Sequence, residues 1–374
     1  MDAVDVAVVG GGVIGCSVAY HAARSGAKVV LVEAEGIGGG ASGAAAGMLA
    51  AQAEAHEPGP FLDLLLASRD LHGPLGEELR ERTGLDPEYA WSGTLSVASS
   101  VEGERDLYAR YSWQAGLGLS ARWLSGEEAR DLEPALSPDV SAALYLPEDG
   151  QVNSPRLVQA LVLAATERGV WILDFTRVTG FVTESGRVTG VRTARGEIPA
   201  GAVVLCGGAS SGILAEDLGV NLPVYPVKGE VLAVGVRPAP TRANVWGERC
   251  YAVPKRDGRM IVGATEEPGV HDRRPTLGGV ARLSAAALDL IPTLKDAPFL
   301  NAWGGLRPAT PTGRPILGAV EGWDGLLVAT GHYRNGVLLA PITGKAISEA
   351  ALGEAPSVDL RPFAPTALAG QEAL

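Results

Sequence analysis

The sequence predicts an α/β fold in which a mostly parallel sheet covered by helices is interrupted twice by a second, mostly antiparallel-sheet domain. Three observations carry this reading. A complete strand-helix-strand unit opens the 374-residue chain. Buried strands of the same kind return near residues 202 and 326. The segments between them read chiefly as isolated strands and amphipathic helices without the regular strand-helix alternation of a parallel sheet.

The opening unit is the best defined. Val4 to Val9 is a short valine-rich run, as expected of a strand buried on both faces. A glycine turn follows, then a helical period through Val13, Ile14, Val18 and Tyr20 that ends at Gly26. Lys28 to Val32 supplies the second strand, completing a βαβ crossover of about 30 residues. Pro60 to Thr83 reads as a long amphipathic helix closed by Gly84, and Gly103 to Leu117 as another. Gly93 to Ala98, Ala143 to Leu146 and Val224 to Val234 read as strands. A helix starts at Asn153-Ser154-Pro155, with Ser154 as the cap and Pro155 in the first helical position. Trp171 to Phe175, Gly186 to Arg192 and Ala202 to Leu205 return to sheet, and the last runs into Gly207-Gly208. Leu326 to Ala329 leads through a turn into a helix from Gly336 to Leu352. The expected cofactor domain is therefore discontinuous, at 1–85, 148–222 and 302–374, and the expected substrate domain occupies 86–147 and 223–301.

Composition narrows the function classes. A hydrophobic fraction of 46% with 20% charged residues suits a folded chain with a sizeable core. The net charge of −12, without clustered Lys and Arg, argues against a nucleic-acid partner. Three scattered cysteines, Cys16, Cys206 and Cys250, form no metal or redox motif and fit a reducing compartment. With no basic leader at Met1–Asp5 and no apolar run near 20 residues, the expected location is the cytoplasm, away from membranes. The sequence leaves homo-oligomer formation open.

Gly10-Gly11-Gly12-Val13-Ile14-Gly15 holds the pattern G-x-G-x-x-G directly after a strand and at the opening of a helix. In that setting Gly10 makes the turn, Gly12 lets a pyrophosphate approach the backbone, and Gly15 lets helix and strand pack closely. The phosphates would sit on free N–H groups at the helix N-terminus. Glu33 ends the second strand, where a carboxylate accepts both hydroxyls of an adenosine ribose and repels a 2′-phosphate. FAD and NAD share this Rossmann-like fingerprint. The run Gly38 to Met48, almost all small residues, favours an extended ligand lying against backbone.

At this point the chain resembles the glycine oxidase type of the D-amino acid oxidase superfamily of flavoproteins. The likeness spans nearly the whole chain and includes Ala44–Leu49, Pro226-Val227-Lys228-Gly229-Glu230, Cys250-Tyr251-Ala252-Val253-Pro254, Val262-Gly263-Ala264-Thr265, Trp303–Pro308 and Gly331–Gly336. It implies a non-covalent FAD, since no cysteine lies between Arg307 and Gly331, where a covalent link would be expected. Its implied contacts are Gly10, Gly12, Val13, Ile14 and Gly15, then Glu33 and Ala34, Ala41 and Ser42, and Ala46, Gly47 and Met48. Val178, Gly207, Gly331, His332, Tyr333, Arg334, Asn335, Gly336, Val337 and Leu338 complete the set.

The resemblance also implies a substrate site. An arginine matching Arg307 holds the substrate carboxylate, a task suited to the two parallel N–H bonds of a guanidinium. Read alone, an arginine is most often a surface ion pair, a reading weakened at Arg307 by its place between Leu306 and Pro308 in a segment with few charges. Tyr251, which matches a tyrosine near the same carboxylate, is more often a core residue. Arg334 matches a residue beside substrate and flavin. On this resemblance the flavin carries the chemistry, and the lack of an evident Ser/His/Asp set or of metal-spaced histidines fits it. The implied activity is oxidative deamination of glycine, and of sarcosine or small D-amino acids, to a 2-oxo acid, ammonia or an amine, and hydrogen peroxide, with O2 as acceptor and thiamine thiazole synthesis as the pathway. A D-amino acid oxidase proper, a dehydrogenase using another acceptor, and a non-catalytic flavin-binding module are the alternatives. Two positions depart from the family pattern: Arg249 stands where a histidine is expected and Glu266 where a methionine is expected. Each either charges the pocket wall or faces solvent.

Overall fold

The computed structural model describes residues 2–368. Met1 and residues 369–374, the outer ends of the expected 1–85 and 302–374 segments, lie outside the described residues. Two large sheets organise the chain. From edge to edge the first runs Ile316–Ala319, Leu326–Thr330, Gly196–Leu205, Val4–Val9, Val29–Val32 and Trp171–Leu173. Its last five strands are parallel, and Ile316–Ala319 closes one edge antiparallel. Strands from the start, middle and end of the chain thus meet in one sheet.

The reason is visible in the first strand. Val6 and Val8 pack into the helical layer on one side, while Val4, Ala7 and Val9 pack into the apolar layer on the other. A strand covered on both faces is apolar at nearly every position, and each such valine contributes roughly 1.5–3 kcal/mol by leaving water. Helix Val13–Arg24 packs against Gly336–Ala351 and Ser154–Glu167, and Pro60–Thr83 packs on both of these. Pro341 interrupts the hydrogen-bond ladder of Gly336–Ala351, and a side chain from the neighbouring helix repairs it. The Ser68 hydroxyl accepts from the Ile342 N–H (3.4 Å) and donates to the Leu338 carbonyl (2.6 Å).

The second sheet carries Thr94–Ala98, Arg122–Ser125, Ala142–Leu146, Tyr225–Gly235, Asn244–Trp246, Tyr251–Pro254, Arg259–Gly263, Glu267–Pro268 and Phe299–Ala309. All its pairings are antiparallel except Asn244–Trp246 with Thr94–Ala98. The expected boundary at 302 falls inside Phe299–Ala309, so Arg307 rides on this sheet.

Several local expectations need correction. The cap of Ser154–Glu167 is Asn153, whose side chain accepts from the Arg156 N–H at 3.4 Å. Ser154 is already helical, and its hydroxyl donates to the Ser42 carbonyl (2.7 Å), tying this helix to the small-residue run. The helix expected from Gly103 starts at Val101 because Ser100 caps it through the Gly103 N–H. Trp171 to Phe175 stops as a strand at Leu173, and Phe175 takes a left-handed backbone (φ 50°). The strand read as Ala202–Leu205 extends back to Gly196, where its first half pairs with Arg187–Thr193.

Candidate active site

Two helix N-termini, those of Val13–Arg24 and Gly336–Ala351, open into one cavity of about 550 Å³. The first glycine turn is packed backbone against backbone. A Cβ on Gly15 would lie 1.8 Å from the Gly10 carbonyl oxygen, so only glycine lets the helix begin against the strand end. Ser42, from the short helix Ala41–Ala44, accepts the Val13 N–H at 2.9 Å and so marks the anion-seeking end of the first helix. The Glu33 carboxylate leaves the end of Val29–Val32 and accepts N–H groups from Gly11 (2.6 Å) and Glu35 (2.7 Å). Those bonds fix its direction along the cavity wall.

The donor set fits a flavin dinucleotide. It offers one helix N-terminus for a pyrophosphate, a second for the electron-rich side of a flavin, a carboxylate for a ribose, and a wall of small residues between them. Every cofactor residue expected from the sequence lines this cavity except Gly15, Gly331 and Leu338. Gly15 is spent on helix packing. Gly331 makes the left-handed turn (φ 71°) out of Leu326–Thr330, against the Thr310 side chain. Leu338 is 1% exposed and points into the helical core, its carbonyl held by Ser68 and His72. His332 is buried with Nε2 on the Thr343 hydroxyl (3.2 Å), and burial pushes its pKa down to about 3. Burial thus keeps the imidazole neutral at ordinary pH.

The opposite wall is one face of the second sheet. Directly paired residues share a face, and the register aligns Trp246, Tyr251, Gly263, Val231 and Trp303 in one row. Two residues further along Phe299–Ala309 are Gly305 and then Arg307, on the same face by alternation. The Arg307 guanidinium lies flat over Gly229, where a Cβ would meet its Cζ at 2.5 Å. That close approach explains a glycine in Pro226–Glu230. Arg307 Nη1 donates to the Thr265 carbonyl at 3.1 Å. Among the described residues no carboxylate pairs with Arg307, although it is only half-exposed. Tyr251 is buried in the same wall, edge-on to Trp246, and burial raises its pKa against the opposing pull of Arg307 and Arg334.

Arg334 is placed differently. It donates to Glu54 (3.2 Å) and to Glu266, and lies 5.0 Å over the Trp246 ring. Burial disfavours its charge, but Glu54 and Glu266 outweigh that and hold its pKa above the usual arginine value. Tyr333 precedes it in a left-handed conformation (φ 47°), pinned by its N–H to the Pro308 carbonyl (2.8 Å). Of the two departures, Arg249 pairs with Asp289 on the surface, and Glu266, itself exposed, lines a neighbouring cavity and pairs with Arg334 from that side. Glu54 and Trp246 were not among the sequence candidates. Glu54 ends the short helix Ala51–Glu54, in a stretch otherwise small and apolar, where a lone acid was the available signal.

The family comparison agrees with this geometry. The DAO model, described as FAD dependent oxidoreductase, matches residues 5–350. The chain belongs to this family. Among curated relatives it is 41% identical over 365 residues to a glycine oxidase of Geobacillus kaustophilus (strain HTA426), covering 97% of this chain and 96% of that protein. It is 38% identical to a bifunctional protein ThiO/ThiG of Synechocystis sp. (strain ATCC 27184 / PCC 6803 / Kazusa), covering 96% of this chain and 53% of that protein. The crystal structure of glycine oxidase from Geobacillus kaustophilus superposes with a TM-score of 0.95 at 40% identity, covering 97% of this chain and 98% of that one. As a member of the family the chain is an FAD-dependent oxidoreductase. Among the described residues no helix is long and apolar enough to cross a membrane, and no cluster of three or more His, Cys, Asp or Glu is placed to hold a metal ion.

Proposed function

We propose that this chain oxidises glycine, and with it sarcosine and small D-amino acids, to the 2-oxo acid and ammonia or an amine, reducing O2 to hydrogen peroxide. One observation carries the substrate class: Arg307 is a guanidinium in the cofactor cavity with no carboxylate partner among the described residues. A half-buried cation of this kind calls for an anion from the ligand, and a bidentate carboxylate matches its fork. Bound FAD supplies the electron sink that takes the equivalent of hydride from the α-carbon and hands it to oxygen. The protein's part is orientation. Arg307 fixes the carboxylate, Tyr251 stands beside it with a protonated hydroxyl, and Tyr251 and Val231 limit the volume left for a side chain.

The division of labour follows the two sheets: the parallel sheet and its helices hold the cofactor, and the second sheet, Arg307 included, forms the substrate domain. The flavin is non-covalent on this reading. Cys250 packs on the far side of the second sheet, and Cys206, although it lines the cavity, lies at the end of the first sheet beside Gly10, at the glycine-turn end. A relative whose name joins ThiO to ThiG supports a role in supplying the imine for the thiazole of thiamine. Anaerobic addition of glycine to the flavin-loaded protein should bleach the flavin absorbance near 450 nm. Readmission of air should restore the colour and release peroxide. No bleaching by glycine, sarcosine or D-alanine would defeat the proposal, and bleaching without peroxide would make the protein a dehydrogenase.

A further inference from the structure

Two of the arginines that line the cofactor cavity, Arg307 and Arg334, carry opposite charge balances. Arg307 has no carboxylate partner among the described residues, whereas Arg334 is held between Glu54 and Glu266. The immediate Arg334 cluster is therefore net negative by one charge. It also forms the shared wall between the cofactor cavity and a second cavity of about 630 Å³, to which Glu54, Tyr333 and Arg334 all contribute. The second cavity adds Glu102, Asp106 and Glu248 against Arg110, so its acids outnumber its arginines five to two once Glu54, Glu266 and Arg334 are included. The Glu266 carboxylate lines the second cavity and reaches Arg334 itself.

Resting on the reading of this site as an amine oxidase, we infer that Glu266, with Glu54, makes the pocket selective against amines that carry a second anionic group. One carboxylate of such a substrate would take Arg307. The other would extend along the shared wall, where Arg334 is already saturated by two carboxylates and the neighbouring charge is negative. The one net negative charge left on the partly exposed Arg334 cluster sets a preference of about tenfold against a second anionic group. Glycine and sarcosine have nothing to place there. Iminodiacetate, which is glycine with a second carboxymethyl group on nitrogen, has a full negative charge.

The test compares the holoenzyme with Glu266→Gln and Glu266→Met, neutral replacements at a half-exposed position. Values of kcat/KM are measured for glycine, sarcosine and iminodiacetate. The ratio of iminodiacetate to glycine should rise about tenfold or more in both variants, while sarcosine to glycine stays within twofold. A parallel titration follows the flavin absorbance on adding acetate or malonate, which probe one and two carboxylates without turnover. Malonate should bind about tenfold tighter to the variants, with acetate unchanged. Equal shifts for sarcosine and iminodiacetate would mean that Glu266 acts by bulk, and no shift in either assay would remove it from specificity. If no amine reduces the flavin, the proposed activity fails, but the malonate and acetate titrations still decide the charge selection.

Discussion

The glycine turn at Gly10–Gly15 and the substrate wall around Arg307 are built in opposite ways. The turn is local: strand, glycines and helix follow one another within about twenty residues, and backbone groups do the binding. The wall is assembled from strands that begin at residues 225, 244, 251, 259 and 299, and side chains do the binding. The turn therefore depends on steric allowance, the wall on charge. Damage to the two should separate into loss of the cofactor and loss of the substrate.

The largest expected effect is at the turn. In Gly15→Ala the new methyl would sit 1.8 Å from a backbone oxygen that cannot move without displacing the strand end. Overpacking of this kind costs about 1–3 kcal/mol where neighbours can shift, and more where they are backbone. The protein should purify with at least tenfold less bound FAD, read from the ratio of absorbance at 450 and 280 nm. A fully yellow Gly15→Ala would show that the turn tolerates a side chain.

Next comes Arg307→Ala, which should leave flavin content unchanged and lower kcat/KM for glycine by about a hundred- to a thousandfold, the expected loss for a charged contact worth roughly 2–5 kcal/mol. Since the arginine has no protein carboxylate to strand, its removal leaves no orphaned charge behind, and thermal stability should hardly change. If Arg307→Ala lost its flavin as well, cofactor and substrate regions would not be separable and the comparison would collapse.

The same contrast explains what the sequence revealed. The turn, Glu33 and the Gly336 helix were legible because each is a short pattern whose residue types follow from backbone geometry. Arg307, Tyr251 and Arg334 became candidates through family motifs, and nothing local to them told a substrate ligand from an ion pair or a core ring. Their difference appears only with register. Arg307 is laid over Gly229 by pairing across more than seventy residues, and Arg334 is captured by Glu54 from the other end of the chain. Glu266 was seen as a departure, but its direction was not readable, because a one-residue change in a loop after a strand turns a side chain in or out. Ser154 misled as a cap because Asn153 is as good a capping residue, and Ser154 had a tertiary partner in Ser42.

The smallest effect separates the two regions by how well a carboxylate in each is satisfied, half-buried at the turn and fully buried under the wall. Glu33, at the turn, accepts two short N–H bonds. Asp149, under the substrate wall, accepts from the Gln52 N–H at 3.2 Å with one oxygen and has no partner for the other. Burial pushes its pKa up from 3.8 to about 7. Between those two values the folded protein binds more protons at this site than the unfolded chain, so stability is lost as pH rises through that window and stays lost above it. The shift corresponds to roughly 4 kcal/mol at most, and local relaxation reduces the realised cost to about 1–2 kcal/mol. Asp149→Asn keeps the acceptor for Gln52 and removes the titration. The variant should therefore melt about 2–4 °C above the parent at pH 8, with the gap narrowing as pH falls through the window and closing only below the unfolded value of 3.8. Parallel melting curves across that window would mean that Asp149 is ionised and satisfied in the fold, and that the substrate wall is as well compensated as the turn.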